Sequence, residues 1–538
     1  MSSIHVDGLT VMRDNQTVVA SLSAQISSGS TLALIGESGS GKTLTAKALV
    51  GLLPPGFRAQ GSLDIKGRSI DLAGTQRMWR GVRGSNVALL MQDPFSSLSP
   101  VHRCGDQIAW TLRARSGNDR QRRSGGWHRR VADLLAEVKL EPSVAQAYPH
   151  QLSGGMRQRV AIAATLAADP ELLIADEPTT ALDASIQADI LNLIRSIQLS
   201  RELAVVLISH DLGLVRGRTD EVLVMHDGVV VERGNTRTIL AAPQNPYTRG
   251  LIDADPNLGT PSWTRECDRP ASVLVEVCGL SRKFGNLEVL DDVSLRVQAG
   301  RTVGIVGESG SGKSTLARCI AGLDAEHTGV ITFDGVPLVP GRSSRVPAQM
   351  QIVFQDPYSS LNPMMTVQAA LSEALCVAGR SVDEIPGLLE IVGLHQQTVK
   401  CFPGQLSGGQ RQRVAIARAL APLPHLLICD ESVSALDVSV QAQILDLLAR
   451  LRDELGLTLL FISHDLAVIR MLADDVVVLR RGRIVESGSC EQVLTAPRHE
   501  YTQMLVAAAL QENAFPPRET GHDVVTMVGN EHVDPLLG

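Results

Sequence analysis

No stretch of this 538-residue chain could cross a bilayer. Its uncharged apolar runs, such as residues 160–168, fall far short of the roughly 20 residues that a spanning helix needs. The N-terminus, Met1-Ser2-Ser3-Ile4-His5, lacks the basic and apolar regions of a secretory signal, so none is expected. Basic residues are not in excess: Lys+Arg number 50 against 57 Asp+Glu, a formal net charge of −7. That argues against general affinity for nucleic acid, which needs a basic face to neutralise phosphates, though a local basic patch is not excluded. The eight cysteines, at 104, 267, 278, 319, 376, 401, 429 and 490, form no Cys-x-x-Cys pair. Neither a zinc site nor a disulfide framework is indicated, and a reducing cytoplasm is the simplest setting.

The chain does contain a repeat. Gly36-Glu37-Ser38-Gly39-Ser40-Gly41-Lys42-Thr43 is matched by Gly307-Glu308-Ser309-Gly310-Ser311-Gly312-Lys313-Ser314. Leu152-Ser153-Gly154-Gly155 is matched by Leu406-Ser407-Gly408-Gly409. Two α/β units follow, each large enough for its own core. The expected division is 1–255 and 271–511, with a Pro-containing linker at 256–270 and a loosely ordered tail at 512–538. The phosphate-loop lysines are offset by 271 residues, whereas Ser153/Ser407, Asp176/Asp430 and His210/His464 are offset by 254. The first unit therefore carries 17 extra residues ahead of Ser153. Part of them is placed in the Arg-rich segment 113–130, read as a solvated insertion or, more sharply, as a nucleic-acid or lipid-headgroup contact.

Each glycine-rich loop follows a short β-rich run and precedes a helix-compatible stretch, 44–53 and 315–323. In that context consecutive backbone N–H groups cradle phosphate oxygens, helped by the positive end of the helix. Gly36, Ser38, Gly39 and Gly41, with Gly307, Ser309, Gly310 and Gly312, are the candidate cradle residues. Lys42 and Lys313 would reach the β- and γ-phosphates, while Thr43 and Ser314 would place a hydroxyl on Mg²⁺. The apolar runs 172–175 and 426–429 end in Asp176-Glu177 and Asp430-Glu431. Asp176 and Asp430 are candidate Mg²⁺ ligands, and Glu177 and Glu431 candidate general bases; alone, such a run is as often a plain strand end. Ser153-Gly154-Gly155 and Ser407-Gly408-Gly409 precede helical stretches, 157–168 and 411–420, and read as anion-binding or simply capped helix starts. His210 and His464, each in Ile-Ser-His-Asp-Leu after a β-rich run, can sense a γ-phosphate; a lone histidine would more often be structural.

This ordered set resembles the nucleotide-binding domain of ATP-binding cassette (ABC) proteins, twice over. The resemblance implies a RecA-like α/β core, an antiparallel β subdomain and a helical subdomain in each unit. It also implies that Gln92 and Gln355 contact Mg²⁺ and water, and that Asp183 and Asp437 belong to D-loops. ATP would lie between one unit's phosphate loop and the other's Leu-Ser-Gly-Gly, pairing Lys42 with Ser407 and Lys313 with Ser153. More narrowly, Gln92-Asp93-Pro94 and Gln355-Asp356-Pro357, with Pro246-Tyr247-Thr248 and Glu500-Tyr501-Thr502, look like dipeptide, oligopeptide and nickel importer ATPases. That likeness implies ATP hydrolysis driving uptake through two transmembrane permeases and an extracytoplasmic solute-binding protein, from the cytoplasmic face of the membrane. Many such relatives bind an iron–sulfur cluster, but only Cys267 follows Tyr247 before the second unit, so no cluster is expected. Phe284 matches the family's adenine-stacking aromatic. The aligned position in the first unit is near Arg13, with no aromatic, which suggests weaker binding or cation–π stacking. Met156 stands where relatives carry Gln. A soluble twin-cassette ATPase acting on ribosomes or DNA is the competing function, disfavoured by a linker that is short, Pro-containing and not notably charged and by the absence of room for a coiled-coil insertion. A fused exporter is disfavoured because no spanning segment is present.

Overall fold

The computed structural model describes residues 3–92, 97–116, 126–179, 184–255, 272–356, 360–434 and 436–509. The expected linker and tail, Asp183 and Cys267 lie outside them. No helix among the described residues is long and apolar enough to cross a membrane, and the described cysteines are all free.

Among the described residues the first unit has ten strands: β1 (Ser3–Arg13), β2 (Gln16–Ser27), β3 (Thr31–Ile35), β4 (Phe57–Ile65), β5 (Arg68–Asp71), β6 (Val87–Leu90), β7 (Leu172–Asp176), β8 (Ala204–Ser209), β9 (Glu221–His226) and β10 (Val229–Asn235). The second repeats them as β11 (Val273–Phe284), β12 (Leu287–Gln298), β13 (Thr302–Val306), β14 (His327–Phe333), β15 (Val336–Leu338), β16 (Met350–Val353), β17 (Leu426–Asp430), β18 (Thr458–Ser463), β19 (Asp475–Arg480) and β20 (Arg483–Ser489). Each unit forms a four-stranded sheet, β2-β1-β4-β5 or β12-β11-β14-β15, and a six-stranded one, β10-β9-β3-β8-β7-β6 or β16-β17-β18-β13-β19-β20. The small sheets are antiparallel. The large ones are parallel except for the outer pairs β9–β10 and β19–β20. The hairpin between β1 and β2 turns on Asp14 and Asn15, whose φ values of 46° and 66° suit the twist of the flanking strands.

A parallel sheet covered on both faces needs continuously apolar strands. β7 shows why: Leu172 and Ile174 join the core under the antiparallel sheet, while Leu173 and Ala175 join the core under the helices. The helical layer comprises Cys104–Ser116, Gly126–Glu137 and Gly154–Leu166 in the first unit, and Val367–Val377, Ile385–Ile391 and Gly408–Leu420 in the second. Core, antiparallel sheet and helical layer together are the three parts expected of each unit.

One local expectation gains detail and two change. The Arg-rich segment 113–130, read as a solvated insertion, is helical at both ends, in Cys104–Ser116 and Gly126–Glu137; residues 117–125 lie outside the described chain. The phosphate-loop helices end sooner than expected, at Leu49 and Ile320, with Gly51 and Gly322 at positive φ just beyond. The helices after Ser153 and Ser407 start three residues early, on the glycines themselves, because each serine caps the helix: Ser153 Oγ accepts from Met156 N and Ser407 Oγ from Gln410 N.

Candidate active site

The phosphate loop follows β3, Gln92 follows β6, Glu177 follows β7 and His210 follows β8. All four therefore sit at the C-terminal edge of one parallel sheet, where α/β folds bind ligands. β13, β16, β17 and β18 deliver Lys313, Gln355, Glu431 and His464 in the same way.

Each phosphate loop is shaped by close backbone packing. A Cβ on Gly36 would lie 2.1 Å from Met225 O, and one on Gly307 the same distance from Leu479 O. Gly41 and Gly312, at φ 99° and 106°, turn the chain into the helices Lys42–Leu49 and Lys313–Ile320. The lysines are buried and fold back on the loop. Lys42 Nζ donates to Gly36 O (2.7 Å) and Glu37 O (2.8 Å), and Lys313 Nζ to Gly307 O (2.7 Å) and Glu308 O (3.0 Å). Burial pulls the Lys42 ammonium below its ordinary range, opposed by Glu177, Asp437 and Asp176. Gly39 and Gly310 also have positive φ, with open space where a side chain would be.

Five groups converge beside the loop. Thr43 Oγ1 donates to Asp176 Oδ1 (3.3 Å), and Ser314 Oγ to Asp430 Oδ1 (2.9 Å). Burial, reinforced by Glu177, pushes the Asp176 carboxyl up to about 6; burial raises Asp430 as well. Such carboxylates gain from a nearby cation, and the hydroxyl–carboxylate pair is an all-oxygen donor set of the kind Mg²⁺ takes. Glu177 accepts from Gln92 Nε2 at 2.6 Å and lies 3.1 Å from His210 Nδ1. Glu431 accepts from Gln355 Nε2 at 2.9 Å, with His464 Nδ1 at 3.4 Å and Lys313 Nζ at 3.7 Å. Burial alone would raise Glu431, but His464 and Lys313 outweigh it and hold the carboxyl low. For His210, burial is likewise outweighed by Glu177, and its imidazole is raised.

Two features of this cluster escaped the sequence reading. Glu177 and Glu431 are in the left-handed region, at φ 45° and 48°. That conformation costs an ordinary residue roughly 1–2 kcal/mol. It is held by hydrogen bonds from Glu177 N to Ile208 O and from Glu431 N to Ile462 O. The strain swings each carboxylate off the strand toward its glutamine and histidine. The second feature is Tyr247, whose hydroxyl accepts from Glu37 N (3.1 Å); Tyr501 does the same for Glu308 N (2.9 Å). Only the family pattern singled these tyrosines out, and it gave them no contact.

The two units meet at the first phosphate loop. Ser38 Oγ donates to Asp437 Oδ1 at 2.7 Å, across 399 residues of chain. A cavity of about 260 Å³ opens there, lined by Ser38, Gly39, Lys42, Thr43, Gln92, Glu177 and His210 from one unit and Ser434, Leu436 and Asp437 from the other. Ser407 is not among its lining residues. It caps the helix Gly408–Leu420, where a Cβ on Gly409 would lie 2.5 Å from Val440 Cγ1; Gly155 stands in the same relation to Ile186 Cγ2 (2.8 Å). Gly154 opens the first unit's matching helix behind its Ser153 cap. Phe284 is half exposed, with the Arg282 guanidinium 4.1 Å from its ring centre. Arg13 has an aromatic beside it after all: Phe57, its register partner on β4, with the ring centre 5.5 Å from the guanidinium.

Residues 19–180 and 290–434 match the family model described as ABC transporter. Residues 231–273 and 485–522 match that described as Oligopeptide/dipeptide transporter, C-terminal region. The chain is 40% identical to the Glutathione import ATP-binding protein GsiA of Pectobacterium atrosepticum, over 94% of this chain and 89% of that protein. It is 42% identical to the Uncharacterized ABC transporter ATP-binding protein YejF of Escherichia coli, over 91% and 96%. It is 40% identical to the Peptidoglycan transport ATP-binding protein YejF of Agrobacterium fabrum, over 90% and 92%. Among solved structures, the archaeal ribosome recycling factor aABCE1, in complex with a ribosomal stalk protein, has a TM-score of 0.60. It is 20% identical, covering 89% of this chain and 90% of that one, a likeness of fold alone.

Proposed function

The chain belongs to the ABC transporter ATP-binding proteins, in the branch with the oligopeptide/dipeptide C-terminal region, and we propose from this that it powers uptake of a peptide or peptide-like solute. Two transmembrane permease subunits carry the solute, which an extracytoplasmic binding protein delivers. The chain sits on the cytoplasmic face, held to the membrane through the permeases. Relatives named for glutathione import and peptidoglycan transport support a solute of this class.

The observation that carries the catalytic reading is the twofold recurrence of one constellation: a strained glutamate held by a glutamine and a histidine, beside a hydroxyl–aspartate pair and a glycine-rich loop. The loop N–H groups and Lys42 or Lys313 bind the phosphates. Thr43, Asp176 and Gln92, or Ser314, Asp430 and Gln355, would hold Mg²⁺, which neutralises charge on the β- and γ-phosphates when bound. Glu177 or Glu431 takes a proton from water as the water oxygen attacks the γ-phosphorus. The bond to the bridging oxygen breaks, and ADP leaves with that electron pair. His210 and His464 orient the glutamate and contact the γ-phosphate. Ser153-Gly154-Gly155 and Ser407-Gly408-Gly409 close each site from the opposite unit, and Phe284 or Arg13 supports the adenine. In phosphate release by the purified chain, E177Q/E431Q should lower turnover at least ~100-fold while ATP affinity persists. Normal turnover in that variant would remove both glutamates from the mechanism.

A further inference from the structure

The last described helix of each unit, Pro246–Ala254 or Glu500–Ala509, carries the tyrosine already noted as its second residue. Both helix starts are held firmly. Asn245 Oδ1 accepts from Tyr247 N and His499 Nδ1 from Tyr501 N. Ahead of them, Glu232 accepts from the backbone N–H of Gln244 and Asn245, and Glu486 from those of Arg498 and His499. The rings are fixed as well. His226, the last residue of β9, lies against Tyr247 with ring centroids 3.9 Å apart and the planes tilted by 32°. Arg480, the last residue of β19, lies 4.7 Å from the Tyr501 ring centre. Both helices also cross to the other unit: Pro246–Ala254 packs on Val438–Leu455, and Glu500–Ala509 on Ala184–Arg201.

The tyrosine hydroxyl meets the phosphate loop at a residue that is pinned twice. Glu37 gives its N–H to Tyr247, and its carbonyl accepts from Lys42 Nζ. Glu308 stands likewise between Tyr501 and Lys313. We infer that Tyr247 and Tyr501 are positioning residues: each fixes the peptide unit that orients the phosphate-loop lysine and ties that loop to a helix seated on the opposite unit. Burial pushes the Tyr247 phenol up to about 12, so the hydroxyl stays neutral and able to accept throughout the working pH range.

The inference rests on the reading of both loops as ATP sites. The test uses the full purified chain and MgATP, with KM and kcat from phosphate release and melting recorded without nucleotide. Phe keeps the ring and its packing and removes only the hydroxyl. Y247F/Y501F should raise KM about fivefold with kcat within about twofold, because a pre-formed loop serves ground state and transition state alike. Its nucleotide-free melting should match the parent. H226A, which frees the Tyr247 ring, should raise KM in the same direction. A parental KM in Y247F/Y501F overturns the inference, and so does a lowered kcat at unchanged KM. Full ATPase activity in K42A/K313A would instead overturn the site assignment itself.

Discussion

At the scale of single residues, the site depends on atoms that leave no room for substitution. A Cβ on Gly36 would sit within 2.1 Å of a backbone carbonyl, and Gly36 has a φ of 148°. A backbone atom cannot swing away as a side chain can, so the loop itself must move. Gly36→Ala should weaken ATP binding at the first site more than about 10-fold, as a loop displaced from its phosphates loses several N–H contacts at once. Titration with a fluorescent ATP analogue in an E431Q background would check this; parental affinity would mean the loop tolerates the shift. Much of the site was legible at this scale, because phosphate and Mg²⁺ chemistry demands fixed residue types in a short run: Lys42, Thr43, Asp176 and Glu177 are all spelled in local motifs. The positive φ of Glu177 was not, since it depends on Ile208, which the fold brings from a separate strand. Phe57 beside Arg13 was missed for the same reason: the contact belongs to strand register, not to neighbouring sequence.

Among elements, the helices after Ser153 and Ser407 are placed by both caps and contacts. Ser407 forms a capping box with Gln410, whereas Met156 leaves Ser153 with a single cap bond. The glycines that follow let these helices approach Ile186 and Val440 closely. Gly409→Ala would drive a methyl into a β-branched side chain that is stiff at χ1. Overpacking of this kind costs about 2 kcal/mol, and better helix propensity returns about 1, so a net loss of about 1 kcal/mol is expected. Val440→Ala in the same chain should restore most of it. Denaturant unfolding without nucleotide measures both; equal stability of G409A and parent would show that the two helices are not in tight contact. The strands and caps were readable from apolar runs, glycines and serines. Helix ends were read less well, because the start of Gly154–Leu166 and the end of Lys42–Leu49 are set by capping and by positive-φ glycines rather than by apolar spacing. The helical ends of the Arg-rich stretch were not legible for a related reason: charge does not exclude a helix whose other face is buried, as Leu112, Val131 and Leu135 of the two flanking helices are.

Over the whole molecule, the second unit reaches the candidate site of the first. Asp437, from the second unit, accepts from Ser38 in the first phosphate loop, and Ser434 and Leu436 line the same cavity. The repeat made two units plain, and the family resemblance suggested that they face each other. The particular partners could not be read, because nothing local links positions 399 residues apart. In an E431Q chain, where turnover rests on Glu177, D437A should cut the remaining hydrolysis about fivefold, the worth of one hydrogen bond of about 1 kcal/mol. Unchanged hydrolysis would mean that the contact does not serve catalysis. The transport reading is tested most directly by isolating the tagged chain from its own membranes in mild detergent and identifying its companions by mass spectrometry. Two polytopic permeases and a solute-binding protein are the predicted companions. Recovery with ribosomal or DNA-processing proteins, and no permease, would contradict it.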